Sequence, residues 1–572
     1  MTGWTGKTVY VDLSSESVNV TGTDETLIRR YLGGRGLGVK MLFELSDPGT
    51  DPLGPENPLV FTVGPLTGLA PMAGGVVLTS KSPLTGTVFS WNAGGGFGGE
   101  MKRAGIDALV ITGKAKEPSY VELKGRNAEI KPADRLWGKN TEECTAALRE
   151  KGSVACIGRA GEKQALISSF VIDSAHTGRG GLGAVAGSKL LKAVLVKGEK
   201  KLKPADPERF VEFETKVLKL FDANPVLSKG LGNYGTPVLV KLLDYFGLIP
   251  CRNFSKRGSK AAGKLSGEYI KTTFELEKES CPACPLGCKQ RIKDTGQMVP
   301  DYDALWAFGL NLENPDFASV LRANRICTDY GLDPVSAGSV LGAYAELEAR
   351  KLEAGEIEAF LMGIGEGNVP GNGARKYLSS RGREELSMDV KGLELAGFDP
   401  RGIRGQALAY ATSPHGGDYL TAFMVGPEVL GKPLGLDRMG LKGKAGILQV
   451  FENMAAAFDS LVLCPFSIFA LNEELCSSLL LAGAGMKVSP AGLLKTGERI
   501  WNLERIYNLR AGFTGRDDTL PGRLFENSGE ANKGGISRQE FEAALSEYYH
   551  FRGWDEEGAP STKKLQELEI LP

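Results

Sequence analysis

The stretch Cys281-Pro-Ala-Cys284-Pro-Leu-Gly-Cys288, with a further thiol far downstream at Cys464, governs the reading of this chain. Three thiols at x2 and x3 spacing let one loop wrap three corners of a cubane, and a distant cysteine closes the fourth. Pro282, Pro285 and Gly287 suit a loop that tight. The spacing favours an iron–sulfur cluster, and with it one-electron chemistry, over a structural zinc site, whose usual form is two C-x2-C pairs. A disulfide framework fits poorly: the nine cysteines are an odd number, and Met1-Thr-Gly-Trp-Thr-Gly-Lys7 lacks the apolar core of a secretory leader. The expectation is a cytoplasmic protein in a reducing compartment.

At 572 residues the chain has material for about three or four domains. Lys+Arg 68 against Asp+Glu 69 leaves a net charge of −1, so no basic field for nucleic acid is implied. The longest apolar stretch, Leu461 to Leu471, contains Pro465 and stops at Asn472-Glu-Glu474. It is too short to span a bilayer, and no membrane insertion is expected.

Glycine is the compositional outlier at 76 residues, clustered in the first 200 positions, as where backbone must pass close to a ligand or adopt positive φ. There the chain reads as short strands: Thr8–Leu13, Leu59–Val63, Ala108–Thr112, Ala165–Val171 and Ala193–Lys197. After Pro204-Ala-Asp-Pro207 the pattern turns helical, with amphipathic runs at Phe210–Leu220 and Pro334–Arg350. A charge-dense connection at Arg375–Glu385 marks a further boundary, before a helical last third with a polar tail. The fold class is therefore α+β, a β-rich N-terminal domain followed by two mainly helical ones, divided as residues 1–205, 206–388 and 389–572.

Two helix–loop segments share a layout. One helix starts at Asn314-Pro315, buries Phe317, Val320, Leu321 and Cys327, and ends at Gly331, giving the loop Thr328-Asp-Tyr-Gly-Leu-Asp333. The other carries Ile447, Phe451, Met454 and Phe458 on one face and runs into Asp459-Ser-Leu-Val-Leu-Cys464. No dinucleotide site is read from Gly178-Arg-Gly-Gly-Leu-Gly183, because neither a strand–helix setting nor the acidic partner is evident.

The chain resembles the tungsten-dependent aldehyde ferredoxin oxidoreductases nearly end to end. Besides the cysteines, the likeness rests on Gly34-Arg-Gly-Leu37, Gly64-Pro-Leu-Thr-Gly68, Lys81-Ser-Pro-Leu-Thr-Gly86, Asn92-Ala-Gly-Gly95, Gly178-Arg-Gly-Gly-Leu-Gly183, Asp399-Pro-Arg-Gly402, Tyr410-Ala-Thr412, Gly497-Glu-Arg-Ile-Trp501 and Arg516-Asp-Asp-Thr-Leu-Pro521. The resemblance implies a β-rich base beneath two helical domains. It also implies two pterins holding one tungsten (or molybdenum) between them, and a nearby [4Fe-4S] cluster on Cys281, Cys284, Cys288 and Cys464. It assigns pterin contacts to Leu332, Asp333, Asp459 and Leu463. It gives the turns Asn92-Ala93-Gly94 and His176-Thr-Gly-Arg179 to a Mg2+ that bridges the pterin phosphates.

Departures from the family pattern fall near the chemistry. Asp303 stands where a glutamate is usual, Tyr419 where a histidine is usual, and His415 lies four residues earlier as a candidate to compensate. Thr328 replaces a common Asp, passing that contact to its own hydroxyl or to Asp329, and Gly75 replaces an arginine. The Glu-x-x-His of an interface iron site reads Arg322-Ala-Asn-Arg325, so that metal-bridged homodimer is not expected, and any oligomer would lack the interface iron site. The implied reaction oxidises an aldehyde, with Asp303 as base and Tyr419 polarising the carbonyl. Electrons then leave through the cluster to ferredoxin or an iron–sulfur partner subunit. The alternatives are a tungsten reductase of a carboxylate or an aromatic thioester, and a non-catalytic electron relay.

Overall fold

The structure, a computed structural model, describes residues 3–125, 127–173, 175–526 and 534–570, except for the side chains of 175–177. Among the described residues of the first 200 there are twelve strands: β1 Lys7–Asp12, β2 Ser17–Gly22, β3 Leu59–Thr62, β4 Val76–Lys81, β5 Val88–Ala93, β6 Ala108–Thr112, β7 Ser119–Lys124, β8 Asn127–Pro132, β9 Ser153–Ile157, β10 Phe170–Ile172, β11 Ala175–Thr177 and β12 Leu191–Lys197. They make two six-stranded sheets, ordered β2-β1-β6-β3-β4-β5 and β11-β10-β9-β12-β7-β8. Read from its other edge, the second order is the first with six added to every strand. The pairing repeats too: β1–β6 and β7–β12 are the parallel pairs, and the other neighbours run antiparallel. This first third of the chain is thus an internal duplication. The near match of Ala108-Leu-Val-Ile-Thr-Gly113 with Ala193-Val-Leu-Val-Lys-Gly198 is its trace in the sequence.

The rest is mainly helical, and the expected α+β class holds. Long helices include Pro207–Ala223, Phe317–Tyr330, Pro334–Leu347, Lys444–Ser460, Pro490–Arg510 and Arg538–Arg552. One apolar core runs from the sheets (Val9, Phe61, Phe89) into the helices (Trp306, Tyr410, Trp501). A second core, with Trp4, Leu461, Leu463 and Leu479, carries Cys284, Cys288 and Cys464 on its edge.

Three local readings change. The Ala165–Val171 strand shrinks to Phe170–Ile172, because Ser168 leaves the sheet to bridge Leu332. Asp316, not Asn314, caps the Phe317–Tyr330 helix: its carboxylate accepts from Ala318 N, which leaves Pro315 outside the first turn. The Gly178–Gly183 run does lie between a strand, β11, and a helix, Leu182–Ser188. Because β11 is an antiparallel edge strand of three residues, no parallel β-α-β unit forms around it.

Candidate functional site

The two helix–loop segments close with one hydrogen-bond pattern. In the first, Gly331 N donates to Thr328 O and Leu332 N to Cys327 O; in the second, Val462 N donates to Asp459 O and Leu463 N to Phe458 O. Both are Schellman-type endings, which need a left-handed residue after the helix. Gly331 fills that position at φ 69°, and Val462 at φ 58°. For a β-branched residue this conformation is an outlier costing about 1–2 kcal/mol, of the kind concentrated at functional sites.

Each loop rests on the same place in the duplicated base. Gly64 follows β3 and Gly158 follows β9. A Cβ at Gly64 would lie 2.6 Å from Leu461 O, and one at Gly158 would strike Tyr330 O. Asp333 N then donates to Ile167 O at 2.9 Å, and Cys464 N to Met72 O at 2.9 Å. The ends of β5 (Asn92-Ala93-Gly94) and of β11 (His176 to Arg179) are likewise counterparts, each leading into a helix, Phe97–Ala104 or Leu182–Ser188. The His176 side chain lies outside the described residues.

A buried arginine clamps each loop carboxylate. The Arg35 guanidinium spans Glu504, with Nε to Oε1 at 2.9 Å and Nη2 to Oε2 at 2.7 Å, and reaches Asp459 Oδ2 at 3.4 Å. Asn92 Nδ2 donates to Asp459 Oδ1 at 3.0 Å and to Leu463 O at 2.8 Å. On the other side, Arg179 Nε donates to Asp333 Oδ2 at 2.9 Å and Nη2 to Glu394 O at 2.9 Å. Ser336 Oγ bridges Asp333 and the Glu394 carboxylate at 2.5 and 2.6 Å. Burial pushes the carboxyls of Asp459 and Glu394 up, and the arginine beside each opposes it. Sequence reading overlooked Arg35, Glu394 and Glu504; the repeated Gly-Arg-Gly at residues 34–36 and 178–180 was the available signal. Asp329 is half-buried and lies 3.6 Å from Arg325.

The four thiols named from the sequence gather beside the second loop. A Cβ at Gly94 would sit 3.7 Å from Cys281 Sγ, and Gly235 packs directly on the Cys288 carbonyl. Burial, Asp301, Cys281 and Cys284 push the Cys288 thiol up to about 12. Burial, followed by Cys288, Cys284 and Cys281, raises Cys464 well above the ordinary range. Thiols that oppose one another's ionisation become thiolates together only around a strong positive charge. Among the described residues no three His, Cys, Asp or Glu side chains are disposed to hold a single metal ion.

Asp303 and Tyr419 meet as well. The Tyr419 hydroxyl donates to Asp303 Oδ2 at 2.8 Å, while Asp303 Oδ1 is buried without a hydrogen-bond partner. Burial raises the Asp303 carboxyl to about 7, against the lowering effect of Tyr419 and Arg179. Asp303 sits on the short helix Tyr302–Leu305, and the chain widens at once into a π-helical turn, Trp306–Leu310, a device common at functional sites. The Tyr410 hydroxyl, fully buried, faces the Ala396 backbone N–H but has no acceptor for its own proton, and the hydroxyls of Ser168 and Ser169 beside the first loop have no hydrogen-bond partner. Such groups are rare in a filled interior, so they mark where a polar ligand would complete the site. His415 does not join Asp303. Its Nδ1 lies 3.1 Å from Asp418, its Nε2 3.7 Å from Glu504, and its ring 4.8 Å from that of Phe89. Burial opposes its charge, but the two carboxylates prevail and raise the imidazole pKa, making His415 part of the Arg35 clamp.

The model of the aldehyde ferredoxin oxidoreductase N-terminal domain matches residues 8–198, and that of domains 2 and 3 of the same enzymes matches residues 212–570. The chain belongs to the aldehyde ferredoxin oxidoreductase family. It is 38% identical over 603 aligned residues to the tungsten-containing aldehyde ferredoxin oxidoreductase of Pyrococcus furiosus, covering 100% of this chain and 99% of that one. The enzyme of the same name from Thermococcus kodakarensis gives the same identity and coverage. A subunit described as WOR-like, of the P. furiosus aliphatic sulfonate oxidoreductase, is 28% identical over 642 residues, covering 100% of this chain and 97% of its own. In fold, the chain matches a chain of the active-site complex BamBC of benzoyl coenzyme A reductase, solved with 1,5-dienoyl-CoA. The TM-score is 0.83 and the identity 24%, over 99% of this chain and 97% of that one. This oxidoreductase of a tungsten-containing family has no helix, among its described residues, long and apolar enough to cross a membrane.

Proposed function

We propose that this family member oxidises an aldehyde to a carboxylate at a tungsten held by two pterins, and passes the electrons through a [4Fe-4S] cluster to ferredoxin or a partner subunit. The observation that carries the reading is the pair of matched loops, each carrying a clamped carboxylate, with the four thiols beside the second. Leu332, Asp333, Asp459 and Leu463 would hold the pterins, Asn92 to Gly94 and the turn from His176 to Arg179 would face Mg2+, and the four cysteines would carry the cluster. Bound there, the tungstopterin supplies a two-electron redox centre.

Converting an aldehyde and water to a carboxylate releases two electrons and three protons. Asp303, with its carboxyl near 7, exists as base and acid in comparable amounts at neutral pH and can take one of those protons on Oδ1. Tyr419 fixes Asp303 through Oδ2. The free Tyr410 hydroxyl can donate to a carbonyl oxygen in a water-poor pocket, where such a bond counts for most. A group poised near 7 also delivers protons readily, which favours the reductase as the second reading. Anaerobic purification with metal analysis and a viologen-linked aldehyde screen tests both. About one tungsten and about four irons per chain, with aldehyde-dependent dye reduction, supports oxidation. Both metals without that activity point to the reductase, and iron alone to a relay.

A further inference from the structure

The helix that carries Asp303, Tyr302–Leu305, is four residues long and does not cap itself: Asp301, at its N-cap position, makes no side-chain bond to it. The first N–H groups of any helix lack acceptors of their own. Here one acceptor comes from 66 positions upstream, where Thr236 Oγ1 accepts from Tyr302 N at 2.9 Å and donates to Asp301 Oδ1 at 3.0 Å. Thr236 belongs to a strap, residues 232–237, that rests on the cluster loop. A Cβ at Gly235 would lie 2.5 Å from Cys288 O and one at Gly232 3.5 Å from Leu286 O, and Asn233 O accepts from Gln290 Nε2 at 2.8 Å. Pro237, next in the chain, restricts the Thr236 backbone. The strap is therefore held by the cluster loop on one side and holds the helix of the base on the other. Tyr302, the capped residue, is buried. Its hydroxyl donates to Gly397 O, and its ring lies 5.1 Å from that of Phe398. Phe398 in turn lies 4.9 Å from Tyr419, the hydrogen-bond partner of Asp303. A shift at Tyr302 N thus reaches both members of the Asp303–Tyr419 pair.

We infer that Thr236 is a positioning residue for the proposed reaction: its hydroxyl sets where Asp303 stands against Tyr419, with the cluster loop as footing. This role rests on the reading of Asp303 as the base. The titratable and charged groups that face Asp303 are Tyr302, Tyr410, Tyr419, Arg179, Asp301 and Asp333. Of these, Asp301 alone accepts from the Thr236 hydroxyl, and Asp301 is exposed, so water can take the place of that donor. Thr236 itself carries no charge. Removing its hydroxyl therefore acts on the ionisation of Asp303 through position, by loosening the bond from Tyr419.

The test compares wild-type holoenzyme with Thr236→Val, which keeps the shape and removes the hydroxyl, and with Thr236→Ser, which keeps the hydroxyl. In Thr236→Val the pH midpoint of kcat/KM for aldehyde is expected to rise by about half a unit to one unit, with a loss of about two- to fivefold at pH 7. Tungsten and iron contents should match wild type, and Thr236→Ser should restore both midpoint and rate. Backbone amide exchange in residues 302–310, read by mass spectrometry, should quicken about tenfold in Thr236→Val and not in Thr236→Ser. A metal-loaded Thr236→Val enzyme with the wild-type midpoint would overturn the positioning role, whatever its stability. So would a Thr236→Ser enzyme that behaves as Thr236→Val does. Wild-type enzyme that holds both metals and oxidises no aldehyde at any pH would instead sink the functional reading. Amide exchange needs no turnover and would then decide alone: unchanged protection of residues 302–310 in Thr236→Val overturns the role of Thr236.

Discussion

Replacing Tyr419 with Phe removes the hydrogen bond to Asp303 Oδ2 and leaves the ring packed between Phe398 and Phe423. A bond to a charged group is worth about 1.5–3 kcal/mol, and one pKa unit is about 1.4 kcal/mol, so the carboxyl should rise by roughly one to two units. The sign is fixed by chemistry: a base must be deprotonated, so kcat/KM for aldehyde should climb with pH through about 7 in the wild type and level off above it. In Tyr419→Phe the same climb should move to higher pH, cutting the rate at pH 7 by about tenfold and largely restoring it at pH 9. Asp303→Asn should remove the ionisation and lower the plateau by about 10²–10⁴-fold. Dye-linked rates from pH 5.5 to 9.5 give all three curves. A midpoint that stays put in Tyr419→Phe would show that this hydrogen bond does not set the basicity of Asp303.

Arg35→Met leaves the buried Glu504 and the half-buried Asp459 without their cation, a loss of about 3–5 kcal/mol seen as a lower unfolding midpoint; adding Glu504→Leu should recover part of it. Gly158→Ala drives a methyl into the Tyr330 carbonyl and should lower tungsten content while iron stays near four per chain, by metal analysis. Cys464→Ser should abolish the cluster signal in the electron paramagnetic resonance spectrum of reduced enzyme. Gly331→Ala puts a side chain at φ 69° within 2.9 Å of Gly158 N, and thermal unfolding should show it less stable than wild type by more than the roughly 1 kcal/mol of ordinary left-handed strain.

Helix periodicity and turn chemistry act locally, which is why the helices leading to Gly331 and Cys464 were legible, down to the equivalence of their loops. Cap identity was not: Asn314 and Asp316 are both good caps, and only the path of the chain decides between them. The Ala165–Val171 run has a strand's composition, but at Ser168 its partner is Leu332, a long-range pairing that no window of sequence contains. The same holds for the arginine clamp, whose partners Arg35 and Glu504 stand 469 positions apart. Asp303 and Tyr419 were found as substitutions in a pattern, and their hydrogen bond came only with the fold. Tyr410 was quoted as part of a motif, but its unsatisfied hydroxyl is a property of packing.

The duplicated base holds its two passengers by the same backbone bonds, but at the last position of the loop one has Asp333 and its twin Cys464. If the thiol binds iron as proposed, that single difference makes one half of a symmetric mount the outlet and the other a dead end. The direction of current through the molecule would then be decided by side-chain chemistry at one site, on a scaffold that by itself has no preferred exit.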